Sequence, residues 1–368
     1  MLAPPFQSYI DRLLPSIRRG DAEPSLGNLP DHGFNALALD LYALQFEHVL
    51  PYQHWCVSRG QTPDRVKHWM EIPAVPAESF KELELTSLPP DQRSTVFHSS
   101  GTTSTLAGRH YHNPDSLAVY EQSILPWYRK HLLPDCSRMN ILALVPDSAS
   151  APHSSLACMM DTVLARHGTG HSIHATHPDP DGTWRLDFKR VIHSLESSVT
   201  TGEPLLLAGT AYGFVHLTEA LQQPQRMFKL PAGSRIMQTG GYKGQSRSLP
   251  RDQLHQLLSH FLDIPDPMIV SEYGMTELSS QAYDRRIGGV SPRVFHFPPW
   301  CACRIVSPET GDPVADGATG VLQVFDLTNV ASVLAIQTED LAIRRAHGFE
   351  YLGRVQGAES RGCSLRHA

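Results

Sequence analysis

Four short apolar runs, at residues 139–145, 204–208, 235–238 and 267–270, alternate with stretches at 154–167, 188–197, 212–221 and 251–262 in which apolar residues recur at helical spacing. A strand buried on both faces reads as an unbroken apolar run, whereas a helix lying on a sheet shows a single apolar stripe. The alternation predicts an α/β region with a largely parallel sheet flanked by helices. No other feature of the chain restricts its fold as much. The region opens at Asn113-Pro114, an N-cap followed by a first-turn proline, which predicts a helix running towards Leu133.

The flanks read differently. Residues 36–50 and 64–70 carry amphipathic, helical patterns, interrupted by Pro51, Pro63, Pro73 and Pro76. We read residues 1–98 as a helical cap on the large domain and residues 99–290 as its α/β core. Beyond Ser291 the helical period fades, and residues 303–306, 320–325, 333–337, 341–345 and 349–352 read as strands separated by turns. Residues 291–352 are therefore expected to form a β-rich subdomain. Residues 353–368, glycine-bearing and poor in apolar side chains, are expected to form a mobile tail.

Composition narrows the function classes. The chain of 368 residues is 41% hydrophobic and 18% charged, enough for a large core, and contains no uninterrupted apolar span, so no membrane crossing is expected. Residues 1–16 lack the basic-then-apolar layout of a secretory signal, and six cysteines without a CxxC pair predict reduced thiols; a cytoplasmic protein is the expectation. A net charge of −6 argues against a general nucleic-acid or anionic-membrane surface, yet leaves room for a phosphate site built from backbone amides.

Two segments carry chemistry. The first is His98-Ser99-Ser100-Gly101-Thr102-Thr103-Ser104-Thr105, a run of hydroxyl residues around a glycine after a predicted strand. Glycine lets the backbone approach an anion, exposed N–H groups point at it, and hydroxyls add donors. An ordinary Ser/Thr-rich surface loop has the same composition, and the spacing is not that of the common nucleoside-triphosphatase loop. The second is Ser271-Glu272-Tyr273-Gly274-Met275-Thr276-Glu277, directly after an apolar strand, where α/β sheets bind ligands. It offers a stacking surface, a hydroxyl and a carboxylate suited to magnesium. Taken singly, Tyr273 reads as core and Glu277 as a helix-start charge.

Together the two segments resemble the adenylate-forming enzyme superfamily of acyl- and aryl-CoA ligases, luciferases and peptide-synthetase adenylation domains. Ser100 to Thr103 matches its Ser-Gly-Thr-Thr phosphate loop, and Tyr273 to Glu277 its Tyr-Gly-x-Thr-Glu motif. Gly240-Gly241-Tyr242, Thr338-Glu339-Asp340 and Gly353-Arg354 resemble, in order, its adenine-side glycines, its ribose aspartate and its hinge. The resemblance implies a large adenylate-forming α/β domain with mixed and parallel sheets. It implies that Ser99, Ser100, Gly101, Thr102 and Thr103 hold the pyrophosphate half of ATP, and that Thr276 contacts the α-phosphate while Glu277 holds Mg2+. Tyr273 and Gly241 would flank adenine, Gly240 and Gly274 would belong to the same nucleotide site, and Asp340 with Arg354 would bind the ribose.

Departures narrow the resemblance. Where the superfamily's phosphate loop continues to a proline and lysine, this chain has Leu106-Ala107-Gly108-Arg109-His110, so Arg109 or His110 is the candidate source of charge. The chain ends fourteen residues after Arg354, which implies that the superfamily's lysine-bearing C-terminal lid is absent. The stretch around Cys363, with Phe325-Asp326-Leu327-Thr328-Asn329, is similar to the acyl-protein synthetases of bacterial fatty-acid reductase complexes. That family implies a carboxylic, specifically fatty, acid as substrate, Cys363 as acyl acceptor and an acyl reductase as protein partner. Cys363 lies nine residues beyond Arg354, and at roughly 3.3 Å per residue an extended segment covers about 30 Å. Arg361, Arg366 and His367 would favour its thiolate.

Two other readings stay open at this point. One is an acid–CoA ligase resembling phenylacetate-CoA ligases, and the other a non-catalytic adenylate-binding scaffold. His167, His171, His174 and His177 recur every three or four residues, but Gly168, Gly170 and Pro178 disfavour a regular helix that would gather them on zinc. Cys301 and Cys303 read as structural, and Lys243 as a turn lysine or a carboxylate or phosphate contact. Neither the chain length of the acid nor the oligomeric state follows from the sequence.

Overall fold

The apolar runs become the strands Asn140–Leu144, Leu205–Thr210, Arg235–Thr239 and Ile269–Tyr273. The structure is a computed structural model, describing residues 2–18, 32–99, 107–179, 184–223, 225–240, 249–290 and 292–354. The chain divides into two compact units, one of residues 124–274 and 281–293, the other of residues 1–123, 275–280 and 294–368.

The first unit is the α/β region. Its sheet runs Ala282–Tyr283, Ile269–Tyr273, Arg235–Thr239, Leu205–Thr210, Asn140–Leu144, Ile173–His174, parallel throughout except for the short Ala282–Tyr283 edge. Helices Phe188–Thr201, Ala211–Gln222 and Arg251–Leu262 bury Val191, Leu195, Phe214, Leu217, Leu254 and Leu258 in one apolar cluster with Leu142, Leu207 and Ile269 of the strands. Helix starts are set by side chains that accept orphan amides: Ser154 from Ala157, Asp187 from Arg190 and Thr210 from Gly213. Arg235, a charge at the start of a buried strand, is 1% exposed and is held by both carboxylate oxygens of Asp135, at 2.7 and 2.8 Å, and by the Leu132 carbonyl. Of the spaced histidines, His167 closes helix Ser155–His167, while His174 lies on the edge strand with Nε2 2.9 Å from Asp161.

The second unit is built on an antiparallel sheet in the order Cys301–Val306, Thr319–Asp326, Ala335–Arg345, with Gly348–Arg354 on the far edge. Val75–Pro76 adds to that same edge in parallel. The expected strands 333–337 and 341–345 are one strand, Ala335–Arg345: the polar Thr338-Glu339-Asp340 between them is a bulge, not a turn. Val321 pairs with Leu341 but Gln323 with Gln337, so the single residue Leu322 faces three, Thr338, Glu339 and Asp340. Helices Pro4–Arg18, His32–His48 and Leu50–Ser58 cover this unit, and Pro51, expected as a breaker, is instead a first-turn proline of the third. Residues 64–68 form a turn and extended backbone leading into a single 3-10 turn, Trp69–Glu71, in place of the expected helix over 64–70. His68 Nδ1 accepts the Met70 amide, and the Glu71 carboxylate takes the Lys67 and His68 amides, a capping box that closes the start of that turn. Helix Pro114–Leu132 starts as expected, with Asn113 Oδ1 accepting the Ser116 amide at 2.9 Å. No helix of the described residues is long and apolar enough to cross a membrane.

Candidate active site

In the second unit, strands Thr95–His98 and Arg109–His112 form a hairpin whose tip is the hydroxyl loop. Residues 100–106 of that loop, including Ser100, Gly101, Thr102 and Thr103, lie outside the described residues. The base of the tip is described. Ser99 and Gly108 face each other, the Ser99 amide donating to the Gly108 carbonyl at 3.0 Å and the Gly108 amide to Ser99 Oγ at 2.8 Å. Gly108 has no room for a side chain: a Cβ there would sit 2.7 Å from Ser99 Oγ and 3.1 Å from Glu277 Oε1. The hydroxyl loop and the Thr-Glu motif, far apart in sequence, thus meet at this glycine.

The Thr-Glu segment is fastened to the hairpin along its length. Thr276 Oγ1 donates to the His98 carbonyl at 3.4 Å, and His110 Nδ1 lies 2.9 Å from the Thr276 carbonyl oxygen. His110 is 1% exposed, and burial pushes its imidazole down to about 4. It is therefore neutral at pH 7 and carries its hydrogen on Nδ1, the nitrogen facing an oxygen that can only accept. The expectation that His110 could supply charge to the phosphate loop fails, because the ring is enclosed and packs at a 45° tilt against His112, centroids 4.4 Å apart; Arg109 remains as the cation of the pair. His110 fixes position.

Glu277 is 7% exposed and Thr276 half-buried. Behind them stands the Phe325-Asp326-Leu327-Thr328-Asn329 segment, whose role sequence alone leaves obscure. Asn329 Nδ2 donates to the Glu277 carbonyl at 2.9 Å. The Asp326 carboxylate, fully enclosed, accepts the Ser279 amide (2.9 Å), the Ser280 hydroxyl (2.8 Å) and both the amide and the hydroxyl of Thr328 (3.0 and 2.6 Å). Burial raises the Asp326 carboxyl despite these donors. Tyr9 and Gln45 of the N-terminal helices hold the same segment through the Leu327 and Asn329 carbonyls. The helical N-terminus thus serves as the outer wall of the Glu277 support.

Asp340 sits on the bulge, 7% exposed, where Arg354 faces it with Nε 3.6 Å from Oδ1. A second irregularity falls on the adjoining strand, where Leu352 is the extra residue and Gly353 takes φ +122°, a conformation open to glycine. Tyr351 donates its hydroxyl to Asp340; burial, then the Asp340 charge, lifts the phenol to about 12, so it stays a donor. Sequence reading names Asp340 and Arg354 but misses Tyr351.

In the first unit, Thr239 and Tyr273 end neighbouring parallel strands, with Thr239 paired to Glu272 in register. The Thr239 hydroxyl donates to the Glu272 carboxylate. That carboxylate leaves no room beside Gly274, where a Cβ would fall 2.5 Å from Glu272 Oε1. Tyr273 is buried, and Gly240 follows its strand at φ +65°. Gly241, Lys243 and Cys363 lie outside the described residues. Among the described residues no group of three metal-ligating side chains converges.

The chain is similar to known acid ligases. The long-chain-fatty-acid–luciferin-component ligase of Vibrio harveyi is 23% identical over 339 residues, 88% of this chain and 84% of that protein. The protein of the same name from Aliivibrio fischeri is 23% identical over 337 residues. Among solved structures, an open conformation of 2-hydroxyisobutyryl-CoA ligase in complex with 2-HIB-AMP and CoA superposes with a TM-score of 0.63 at 11% identity, covering 90% of this chain and 77% of that one. An ATP-bound RpMatB-BxBclM chimera gives 0.50 at 16% identity, over 73% of this chain and 49% of that one. The fold is that of the adenylate-forming ligases. The match to the family described as "Acyl-protein synthetase, LuxE" spans residues 30–367, and the chain belongs to that family.

Proposed function

We propose that this ligase activates a fatty acid with ATP and passes the acyl group to a protein thiol, that of Cys363. The observation that carries the reading is the meeting of Ser99, Thr276 and the Glu277 carboxylate around Gly108, which gathers hydroxyl and amide donors and one acidic group at the base of a hydroxyl-rich loop. The names of the two bacterial relatives support a long-chain fatty acid as the substrate class.

A carboxylate resists nucleophiles because its carbonyl carbon is electron-rich and its leaving group would be oxide. Attack of a carboxylate oxygen on the α-phosphorus of ATP forms an acyl–phosphate bond and breaks the bond to pyrophosphate, which leaves with the electron pair. Donors of residues 99–103 would hold the departing pyrophosphate, with Thr276 at the α-phosphate; aimed where charge develops, such donors act most strongly in the transition state. Tyr273 and Gly241 would flank adenine, Gly240 and Gly274 would belong to the same nucleotide site, and Asp340, steadied by Tyr351 and Arg354, would take the ribose hydroxyls. A single buried carboxylate beside phosphate oxygens is the donor set magnesium uses, so Glu277 fits Mg2+, which when bound would neutralise phosphate charge. In the second half, the Cys363 thiolate attacks the acyl carbonyl, forming a thioester as AMP leaves. An acyl reductase would then consume the thioester.

Acid-dependent exchange of labelled pyrophosphate into ATP tests the first half. Exchange with a long-chain fatty acid, lost in Glu277→Gln, is expected; absence of acid-dependent exchange contradicts it. Free coenzyme A should give no acyl-CoA product, since the family's acceptor is a protein.

A further inference from the structure

A cavity of about 480 Å³ lies within the unit built on the antiparallel sheet, lined among others by Trp55, Ile72, Pro73, Pro76, Arg304 and Gln337. None of these residues belongs to the candidate active site. Arg304 projects from strand Cys301–Val306, its guanidinium 5.4 Å from the centre of the Phe325 ring. Its Nε donates to Gln323 Oε1 and its Nη1 to the Met70 carbonyl, both at 2.6 Å. Among the described residues no carboxylate pairs with it, and Asp312 acts on it only at longer range.

The direction of the hydrogen bonds follows from that cation. Arg304 can only donate, so Gln323 must turn its oxygen towards Arg304 and its Nε2 onward, and Nε2 donates to Gln337 Oε1 at 2.9 Å. Gln337 is left presenting its own Nε2. Both ends of this relay, Arg304 Nη2 and Gln337 Nε2, are donors that no acceptor of the described residues closes. Burial already lowers the Arg304 guanidinium from its ordinary value, and a half-desolvated cation with open donors favours an incoming anion. Glu71 also lines the cavity, but one of its carboxylate oxygens is taken by the Lys67 and His68 amides at 2.8 and 3.2 Å. Arg59, 3.2 Å from the centre of the Trp55 ring, offsets its charge.

We propose that this cavity binds a small organic anion, a carboxylate or phosphate borne on a flat or apolar group, with the anion on Arg304 and Gln337 and the apolar part against Trp55 and the prolines. The site is separate from the adenylation site and does not depend on its assignment.

Calorimetric titration of the full-length chain with phenyl phosphate, benzoate, inorganic phosphate and acetate, with and without a saturating non-hydrolysable ATP analogue, tests this. One saturable site is expected for phenyl phosphate or benzoate, tighter than for the corresponding bare anion and retained with the analogue present; the preferred probe tells phosphate from carboxylate. Affinity should fall about tenfold or more in Arg304→Gln and in Gln337→Leu, with acid-dependent pyrophosphate exchange unchanged. Arg304 also ties down Met70, so if Arg304→Gln fails to fold, Gln337→Leu decides. No saturable binding, binding displaced by the ATP analogue, binding undiminished in the folded variants, or occupancy only by an acidic peptide would overturn the proposal.

Discussion

Replacing Gly108 with alanine tests whether the hydroxyl loop and the Thr-Glu motif form one site. Gly108 is not in a left-handed conformation, so the change adds no backbone strain and acts only through its new methyl group. That methyl would stand 2.7 Å from Ser99 Oγ and 3.1 Å from Glu277 Oε1. The first contact is roughly 0.7 Å short of ordinary van der Waals approach, so Ser99 must turn away and Glu277 must give by a few tenths of an ångström. Overpacking of this kind costs about 1–3 kcal/mol, and losing the Gly108 amide to Ser99 Oγ bond about 1 kcal/mol more. A shift near 1 Å in a reacting site costs about 100-fold in rate, so kcat/KM for acid-dependent pyrophosphate exchange should fall about 10- to 100-fold, while the melting temperature drops by only a few degrees. Gly170→Ala, where nothing lies within 4 Å of the added methyl, should leave both unchanged. A folded Gly108→Ala protein with full exchange activity would refute the reasoning.

Other outcomes follow from the supports around the site. Asn329→Ala removes the donor to the Glu277 and Val333 carbonyls and should lower exchange activity and stability together, measured by exchange rate and thermal melt, whereas Glu277→Gln should lower activity with the melt nearly unchanged. Asp340→Asn should raise KM for ATP more than it lowers kcat, and Tyr351→Phe should do the same more weakly, since it only steadies Asp340. For His110 the folded imidazole titrates near 4 and the unfolded one near its ordinary 6.5, so the unfolded chain binds the extra proton between those values. Stability from this group is complete above about pH 6.5 and is lost as pH falls towards 4; His110→Gln should lose less stability than the parent over that window in denaturant titrations.

The parallel sheet was legible because its strands are buried on both faces and so read as unbroken apolar runs. Arg235 is the informative exception, a charge in such a run made tolerable by Asp135, a hundred residues away and invisible to local pattern. The edge strand Ile173–His174 was missed: two residues at a sheet margin leave no periodic signal. Ala335–Arg345 was split in two because the bulge that sets Asp340 carries polar residues, and polarity there looks like a turn. Among the proposed site residues, Thr276, Glu277, Asp340 and Arg354 are named by motif. Gly108, His110, Asn329 and Tyr351 act by contact with those residues across the fold, so no spacing in the chain announces them. An isolated glycine next to an otherwise polar strand start, such as Gly108, was the one available hint.

On the proposed reading the acid is first adenylated and then carried as a thioester on this chain. Intact-protein mass measurement after incubation with ATP, magnesium and a long-chain fatty acid tests it most directly, with Cys363→Ser run alongside. An ATP-dependent mass increase equal to one acyl group, removed by hydroxylamine and absent from Cys363→Ser, is expected. An acyl adduct of undiminished yield on Cys363→Ser, or no adduct on the parent protein while pyrophosphate exchange proceeds, would contradict it.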